Sequence, residues 1–244
     1  IVLDRPNPLG RKLEGAILDL NYRSFVGMNP VPARHGMTAG EMALFIQQNN
    51  LIKNAEQLSL QVISAANWEP DYSSGGRCKA EFEQTSPNIP TLEHALMYIG
   101  TCLLEGTNIS EGRGTDNPFR LFGAPWLDSK SLTKKLNQFN FKNIDFSEKI
   151  FTPSSSKYKG LKCNGVQIEL NDLDIDPFKV GVMIINEIYK NHPDKFEFKD
   201  EFFDKLYGSN DLRLTILNRK SLDDLFDSIN IQNANFSKKM VTIY

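Results

Sequence analysis

The sequence lacks an excess of positive charge, because its 244 residues include 28 Lys and Arg against 30 Asp and Glu. This balance provides no basic field that would attract nucleic acid or an anionic membrane surface, which leaves a neutral or locally charged ligand. No apolar run approaches the roughly 20 residues that a membrane-spanning helix needs. We therefore expect no nucleic-acid partner and no membrane span, and no pattern indicates an oligomeric state.

Cysteine is also scarce, and the spacing of Cys78, Cys102 and Cys163 fits neither a disulfide framework nor a zinc site. No glycine fingerprint follows a strand, which argues against a nucleotide-binding protein. The chain opens on the apolar residues Ile1–Leu3, without an initiating Met or a signal-peptide pattern. We expect this opening to be the end of a buried strand, with a further segment upstream.

Strand and helix patterns alternate along the chain, which predicts the α/β class. Thr38 and Glu41 have the spacing of a capping box and predict a helix over 38–49. After Trp126 the composition shifts toward Lys, Asn and Ser, which predicts a domain over 1–125 and a second over 126–244. Further patterns predict helices at 91–99, ended by Gly100, and at 129–138, 177–190 and 221–229, with strands at 1–3, 58–66, 101–105 and 165–170.

The densest group of chemical side chains lies between Glu105 and Thr115, where three glycines separate carboxylates, an amide, hydroxyls and a guanidinium. Glycine permits close approach of a ligand, and the polar groups supply directional hydrogen bonds of the kind that a sugar requires. A guanidinium can also pair with a carboxylate on the ligand. The alternative is a polar surface turn whose charges are merely solvated. The candidate binding residues here are Glu105, Asn108, Ser110, Glu111 and Arg113.

A second candidate group lies near the start of the chain. Asn7 follows the first predicted strand, and Glu14 precedes an apolar stretch that begins at Ala16. A carboxylate beside apolar residues is partly desolvated, which raises its pKa toward values useful for a general acid. The alternative is that Glu14 is an ordinary surface carboxylate.

Arg34 and His35 come just before the helix that Thr38 caps, and a helix amino terminus favours anions and hydroxyls. Because no Ser/His/Asp or metal-ligand spacing accompanies His35, a structural role for this ring is the alternative. Asn88 lies in a proline-rich turn that we expect to face the same cleft.

Together these segments resemble a formerly uncharacterised bacterial domain family that is now assigned to exo-β-N-acetylmuramidases. The resemblance is strong to about residue 128 and thin afterward, and Arg11 and Ile99 depart from the family's usual glycine and proline. These departures affect local turn geometry rather than a reacting group. The matching residues are 4–10, 14–15, 24–27, 34–38 with Glu41, 86–93, 100–115, 118–119, 123–126, Cys163 and 165–167.

The resemblance implies a Rossmann-like domain followed by a smaller auxiliary α/β domain, with the active site between them. It implies hydrolysis of the β-1,4 bond of a terminal, non-reducing N-acetylmuramic acid (MurNAc) in peptidoglycan, without a metal or organic cofactor, in the periplasm or outside the cell. Of two glutamates that it implies for catalysis, we place one on Glu14 and expect the other upstream, with Glu105 and Glu111 in reserve. A non-catalytic protein that binds peptidoglycan or muropeptides is the alternative.

Overall fold

The computed structural model describes residues 1–66 and 82–240, and in them short strands alternate with helices, so the predicted α/β class is confirmed. The strands are β1 (Val2–Leu3), β2 (Glu14–Ile17), β3 (Pro32–Arg34), β4 (Val62–Ile63), β5 (Leu121–Ala124), β6 (Ile144–Phe151) and β7 (Cys163–Leu170). The α-helices are α1 (Ala39–Gln48), α2 (Leu92–Thr101), α3 (Ser129–Gln138), α4 (Pro177–Asn191), α5 (Asp200–Tyr207), α6 (Asp211–Leu217) and α7 (Asp223–Ser237). Short 3-10 helices lie at Leu20–Tyr22, Ala55–Gln57 and Cys102–Gly106.

The strands of the described residues form small sheets rather than one large one. β1 pairs with β4 in parallel, and β2 pairs with β3 as an antiparallel hairpin that aligns Glu14 with Arg34. The largest sheet is antiparallel with the order β5-β7-β6, and its register aligns Leu121 with Gln167. The hairpin is therefore the element that brings two predicted site residues together.

The main hydrophobic core lies between the β5-β7-β6 sheet and the crossing of α2 with α4. An ideal Cβ at Gly100 of α2 would lie 2.0 Å from the carbonyl oxygen of Pro177, and one at Gly181 of α4 would lie 2.3 Å from the carbonyl oxygen of Gly100. Only glycine allows two backbones to approach this closely. The close crossing of α2 and α4 thus requires glycine at both positions.

A smaller core joins the two ends of the described chain. Phe236 of α7 packs against Phe45 of α1, with ring centroids 5.4 Å apart, and Met37 completes the buried group. The last helix therefore returns to the region that carries the amino-terminal site residues.

The structure confirms several predicted elements and corrects others. Helix α3 has the predicted bounds, and Thr38 and Glu41 form the predicted capping box. The strand predicted over 101–105 is wrong, because α2 continues past Gly100 and a 3-10 helix follows. The Thr101 hydroxyl supports this continuation, because its oxygen lies 2.8 Å from the carbonyl oxygen of Met97 and 2.9 Å from that of Phe119, and its single proton is shared between them.

The carboxy-terminal part contains more helices and strands than were predicted from the sequence. The helix predicted over 221–229 begins at Asp223 and runs to Ser237. Its N-cap position is Leu222, and the Ser221 hydroxyl accepts from the N–H of Asp223 at 3.1 Å. β6, α5 and α6 were not predicted. The domain boundary near Pro125 stays a prediction, as does the Rossmann-like character of the first domain.

Some predictions concern residues outside the described ranges. Cys78 lies there, whereas Cys102 and Cys163 lie within the described residues and are free thiols. Within residues 1–66 and 82–240, no helix has both the length and the apolar character that a membrane crossing would require.

Candidate active site

The β2–β3 hairpin buries an ion pair between Glu14 and Arg34, whose side chains are 8% and 4% exposed. One carboxylate oxygen of Glu14, Oε1, accepts from Nη1 of Arg34 and lies 3.5 Å from Nζ of Lys12. Nε of Arg34 donates to the carbonyl oxygen of Leu9 at 3.1 Å, which fixes the guanidinium against the loop after β1. Glu14 is thus a buried carboxylate and not the ordinary surface residue of the alternative hypothesis.

The second carboxylate oxygen of Glu14, Oε2, is buried and has no hydrogen-bond partner among the described residues. Burial raises the pKa of Glu14 above its ordinary value, while the positive charges of Arg34 and Lys12 oppose the rise. Because Oε1 contacts the two cations, Oε2 is the oxygen that carries the proton when Glu14 is neutral. The predicted increase in the pKa of Glu14 is confirmed in direction.

A cavity of about 710 Å³ lies beside this hairpin, and two further predicted site residues, Asn7 and His35, line it. Nδ2 of Asn7 donates to the carbonyl of Met37 at 3.0 Å, and its Oδ1 accepts from the backbone N–H of Leu9 at 2.9 Å. Met37, Met42 and Leu92 supply apolar lining. Apolar walls with a few oriented polar groups are typical of small-ligand cavities.

His35 is neutral in this setting. Its Nδ1 accepts the backbone N–H of Met37 at 3.1 Å, so the neutral ring carries its proton on Nε2. Burial lowers the pKa of His35, and the charge of Glu41 opposes the change. A neutral imidazole at a cavity wall can donate one hydrogen bond to a hydroxyl or a carbonyl.

The amino terminus of α1 is fixed to the loop after β1 by charged side chains. Asp4 is buried and accepts from the Gly40 N–H at 2.6 Å and from the Thr38 hydroxyl at 3.0 Å. Arg11 pairs with the buried Glu41 at 2.6 Å. These contacts make the loop that carries Asn7 a rigid wall of the cavity.

The glycine-rich segment forms a second ion-pair group around Arg113. Its Nη2 lies 3.1 Å from Oε2 of Glu105, and its Nε lies 3.4 Å from Oε1 of Glu111. Glu111 is 2% exposed, and its Oε2 lies 3.0 Å from Nζ of Lys157. The segment is therefore not a solvated surface turn, since its central carboxylate is buried between two cations.

Burial sets the protonation behaviour of this second group. It raises the pKa of Glu105, which Arg113 opposes, and it lowers the pKa of Lys157, which Glu111 opposes. Lys157 also donates to the carbonyls of Leu104 and Ile109, both at 2.8 Å. These bonds tie the glycine-rich segment to the loop before β7.

The other predicted binding residues hold backbone in place. Nδ2 of Asn108 donates to the carbonyl of Lys195 at 2.7 Å, and its Oδ1 accepts from the N–H of Glu197 at 3.0 Å. Ser110 is buried, and its Oγ accepts from the Gly112 N–H at 3.3 Å. The backbone N–H of Asn88 lies 3.3 Å from the Ser86 hydroxyl, within a tight turn.

The predicted residues thus fall into groups with separate contacts. Glu14 and Arg34 form one ion pair, and Asn7 and His35 line the 710 Å³ cavity. Arg113 forms ion pairs with Glu105 and Glu111. Neither Glu14 nor Arg113 is among the described residues that line that cavity. Their roles toward a single sugar stay predictions.

Two family models together match nearly the whole chain. The model described as exo-beta-N-acetylmuramidase NamZ, N-terminal, matches residues 1–93, and the corresponding C-terminal model matches residues 96–244. The chain belongs to the NamZ family of exo-β-N-acetylmuramidases. The family resemblance drawn from its motifs is therefore confirmed.

A curated NamZ relative and two solved structures extend this result. The peptidoglycan beta-N-acetylmuramidase NamZ of Bacillus subtilis (strain 168) is 39% identical over 248 residues, which cover 98% of this chain and 57% of the relative. A DUF1343 family protein of Bacteroides fragilis NCTC 9343, BF0371, shares the fold with a TM-score of 0.82 at 24% identity, over 99% of this chain and 65% of its own. A second, BF0379, has a TM-score of 0.74 at 29% identity, over 97% and 64%. The chain thus spans about three fifths of the length of these three proteins.

Two cations of the candidate site were missed in the sequence. Lys12 precedes Glu14 by two residues, and alternate residues of an extended chain face the same side, so this spacing was a usable signal. Lys157 lies 46 positions beyond Glu111 in a loop without a pattern of its own. Long-range packing brings it to the carboxylate, and nothing in the local sequence predicts that.

Proposed function

We propose that the protein to which this chain belongs hydrolyses the β-1,4 bond of a terminal, non-reducing MurNAc and releases this sugar from peptidoglycan fragments. Membership of the NamZ family and 39% identity to a curated peptidoglycan β-N-acetylmuramidase support the proposal. Within the chain, the single observation that carries it is the buried carboxylate of Glu14 with its unpartnered oxygen.

Glycoside hydrolysis generally needs one carboxylic acid that protonates the leaving oxygen and a second group that acts as nucleophile or base. Glu14 suits the acid role, because burial keeps its pKa above the ordinary value and thereby preserves the protonated form to higher pH. The second group stays open, with Glu105 and Glu111 as the reserves within this chain.

The cavity that Asn7 and His35 line suits the sugar to be released. Its volume of about 710 Å³ accommodates a hexosamine with its substituents, and the partly exposed Met42 and Leu92 offer apolar surface to the sugar face. Arg5 at its rim is exposed and lies 3.7 Å from the exposed Glu83. An exposed ion pair contributes little free energy, so a ligand carboxylate can take the place of Glu83 beside Arg5. Because peptidoglycan lies outside the cytoplasmic membrane, we further propose a periplasmic or extracellular location.

The test is turnover of a chromogenic β-glycoside of MurNAc by the full gene product that contains this chain. We expect Glu14→Gln to lower kcat/KM by about 10²–10⁴-fold, the usual contribution of a general acid. The matched control is Glu148→Gln, which changes an exposed glutamate of β6 and should leave turnover unchanged. Circular dichroism checks that both variants are folded.

Two results would contradict the proposal. Absence of turnover by the wild-type gene product, together with binding of MurNAc fragments, would favour the non-catalytic saccharide-binding alternative. Full activity of Glu14→Gln would leave the hydrolase in place and remove Glu14 from its mechanism.

A further inference from the structure

A second cavity, of about 480 Å³, lies in the carboxy-terminal part of the chain, between the loop that precedes β6, one face of α4 and the start of α7. Three phenylalanines line it, namely Phe139, Phe141 and Phe226. Phe139 and Phe141 pack against each other with centroids 5.6 Å apart, and all three rings are partly exposed. Each ring packs against the main core and keeps part of its surface exposed, and Nζ of Lys179 lies over the Phe226 ring, 5.5 Å from its centroid.

The rim of this cavity carries an excess of positive charge. Four lysines lie there against Asp176 and Asp223. Two of the lysines already have acidic partners, since Lys142 pairs with Asp174 at 2.5 Å and Lys190 with Glu187 at 3.0 Å. The other two, Lys179 and Lys220, are exposed and form no ion pair with a described residue.

Helix α4 contributes a polar group to the floor of the cavity. Lys179, Met183, Asn186 and Lys190 share one face of the helix, because they follow each other at intervals of three or four residues. Asn186 is 6% exposed, and its Nδ2 donates to Oε1 of Glu187 at 3.2 Å. Its carboxamide oxygen accepts no hydrogen bond from the described residues, which leaves an acceptor inside the cavity.

We propose that this cavity is a second saccharide site that binds an anionic glycan strand at a MurNAc unit, away from the bond that is hydrolysed. The proposal rests on the proposed function, which supplies the substrate class. The apolar faces of a hexosamine ring pack against phenylalanine, the lactyl carboxylate pairs with Lys179 or Lys220, and an acetamido N–H reaches the Asn186 oxygen.

The mixture of charges favours this ligand over an acidic peptide or a nucleic acid. A peptide-free peptidoglycan strand bears one lactyl carboxylate on every second sugar, so its negative charge is sparse. A run of neighbouring carboxylates or phosphates would instead meet Asp176 and Asp223 at the rim. The formal net charge of −2 on the chain gives no broad attraction for a polyanion.

The experiment measures binding of fluorescently labelled, peptide-free glycan strands to the full gene product by anisotropy. We expect Lys179→Glu combined with Lys220→Glu to weaken binding at least tenfold and to raise KM for strands. The same double variant should keep the wild-type kcat/KM for the small chromogenic MurNAc glycoside. The matched control is Lys134→Glu combined with Lys149→Glu, which makes the same change in net charge on exposed lysines outside the cavity lining.

Strand binding by the Lys179/Lys220 variant that equals that of the control would overturn the proposal. Equal losses for chitin oligosaccharides, which lack the carboxylate, would overturn the assigned carboxylate contact, and a larger loss for polyglutamate than for strands would favour an acidic peptide. Thermal melting shows whether the variants are folded. If the wild-type protein fails to turn over the small glycoside, the proposed hydrolysis fails, whereas strand binding still reports on this second site.

Discussion

At the scale of single residues, two opposing effects set the pKa of Glu14. Burial favours the neutral acid, whereas Arg34 and Lys12 favour the carboxylate. Arg34 is fixed by its bond to the Leu9 carbonyl, so it also positions the carboxylate. Lys12 is 37% exposed and makes the longer contact, at 3.5 Å, which makes it the cation to remove in a test.

Replacing Lys12 with Met is expected to raise the pKa of Glu14 further, because one of the two charges that lower it is lost. A general acid is active in its protonated form, so the alkaline limb of the pH profile of kcat/KM should move to higher pH. The Lys142→Met variant removes an exposed lysine that pairs with Asp174 and should leave the profile in place. A shift to lower pH in Lys12→Met would contradict an acid role for Glu14.

Lys157 provides a second residue-scale test, on stability. Its ammonium lies 3.0 Å from the buried Glu111 carboxylate, and its side chain is 17% exposed. In Lys157→Met the carboxylate keeps the contact with Arg113 but loses its nearer cation, so we expect the free energy of unfolding to fall by about 3 kcal/mol. Urea denaturation measures the change.

The contrast for this test is the exposed pair of Lys205 and Glu201 on α5, at 3.7 Å. Lys205→Met should lower the free energy of unfolding by at most about 0.5 kcal/mol, as is usual for exposed pairs one helical turn apart. Adding Glu111→Gln to Lys157→Met should restore part of the stability, because the unpaired charge disappears. Equal losses in Lys157→Met and Lys205→Met would show that Glu111 does not depend on its buried partner.

At the scale of secondary-structure elements, the contact of α2 with α4 leaves the least space for a side chain. Gly100→Ala would place a Cβ 2.0 Å from the carbonyl oxygen of Pro177, a backbone atom that cannot move independently of α4. We expect a loss of about 3 kcal/mol or more in the free energy of unfolding, at the upper end for overpacking. Gly27→Ala is the control, since its Cβ would meet the Leu18 side chain at an ordinary 3.7 Å. A small effect of Gly100→Ala, similar to the control, would contradict the close crossing.

The elements also show what the sequence could and could not predict. Thr38 and Glu41 are close in sequence and satisfy each other's hydrogen bonds, so α1 was predictable from local chemistry. The apolar stretch over 101–105 is compatible with a strand or with a buried helix, and only packing against the rest of the core decides between them. For the same reason the residues of the candidate site were recognisable one by one, while their grouping depended on cations such as Lys157 that come from distant segments.

At the scale of the whole molecule, the two NamZ family segments do not pack as independent bodies. Leu9 and Ala16, from the amino-terminal segment, pack against the main core built largely from the carboxy-terminal one. In the smaller core, a residue of the carboxy-terminal segment packs against the amino-terminal one, because Phe236 of α7 contacts Met37 and Phe45. The cavity wall at Met37 therefore depends on a helix almost 200 residues farther along the chain.

Phe236→Ala tests this dependence. The side chain is 4% exposed, and its removal leaves a void beside α1, so we expect a loss of about 3–5 kcal/mol in the free energy of unfolding. Hydrogen exchange of the α1 amides should accelerate more than that of α4, whose buried face packs in the main core. The control on the same helix is Ile231→Ala, at a side chain that is 63% exposed, which should leave both helices unchanged. If exchange in Phe236→Ala rose equally in α1 and α4, the last helix would stabilise the molecule as a whole, and the specific link between α7 and the cavity wall would be wrong.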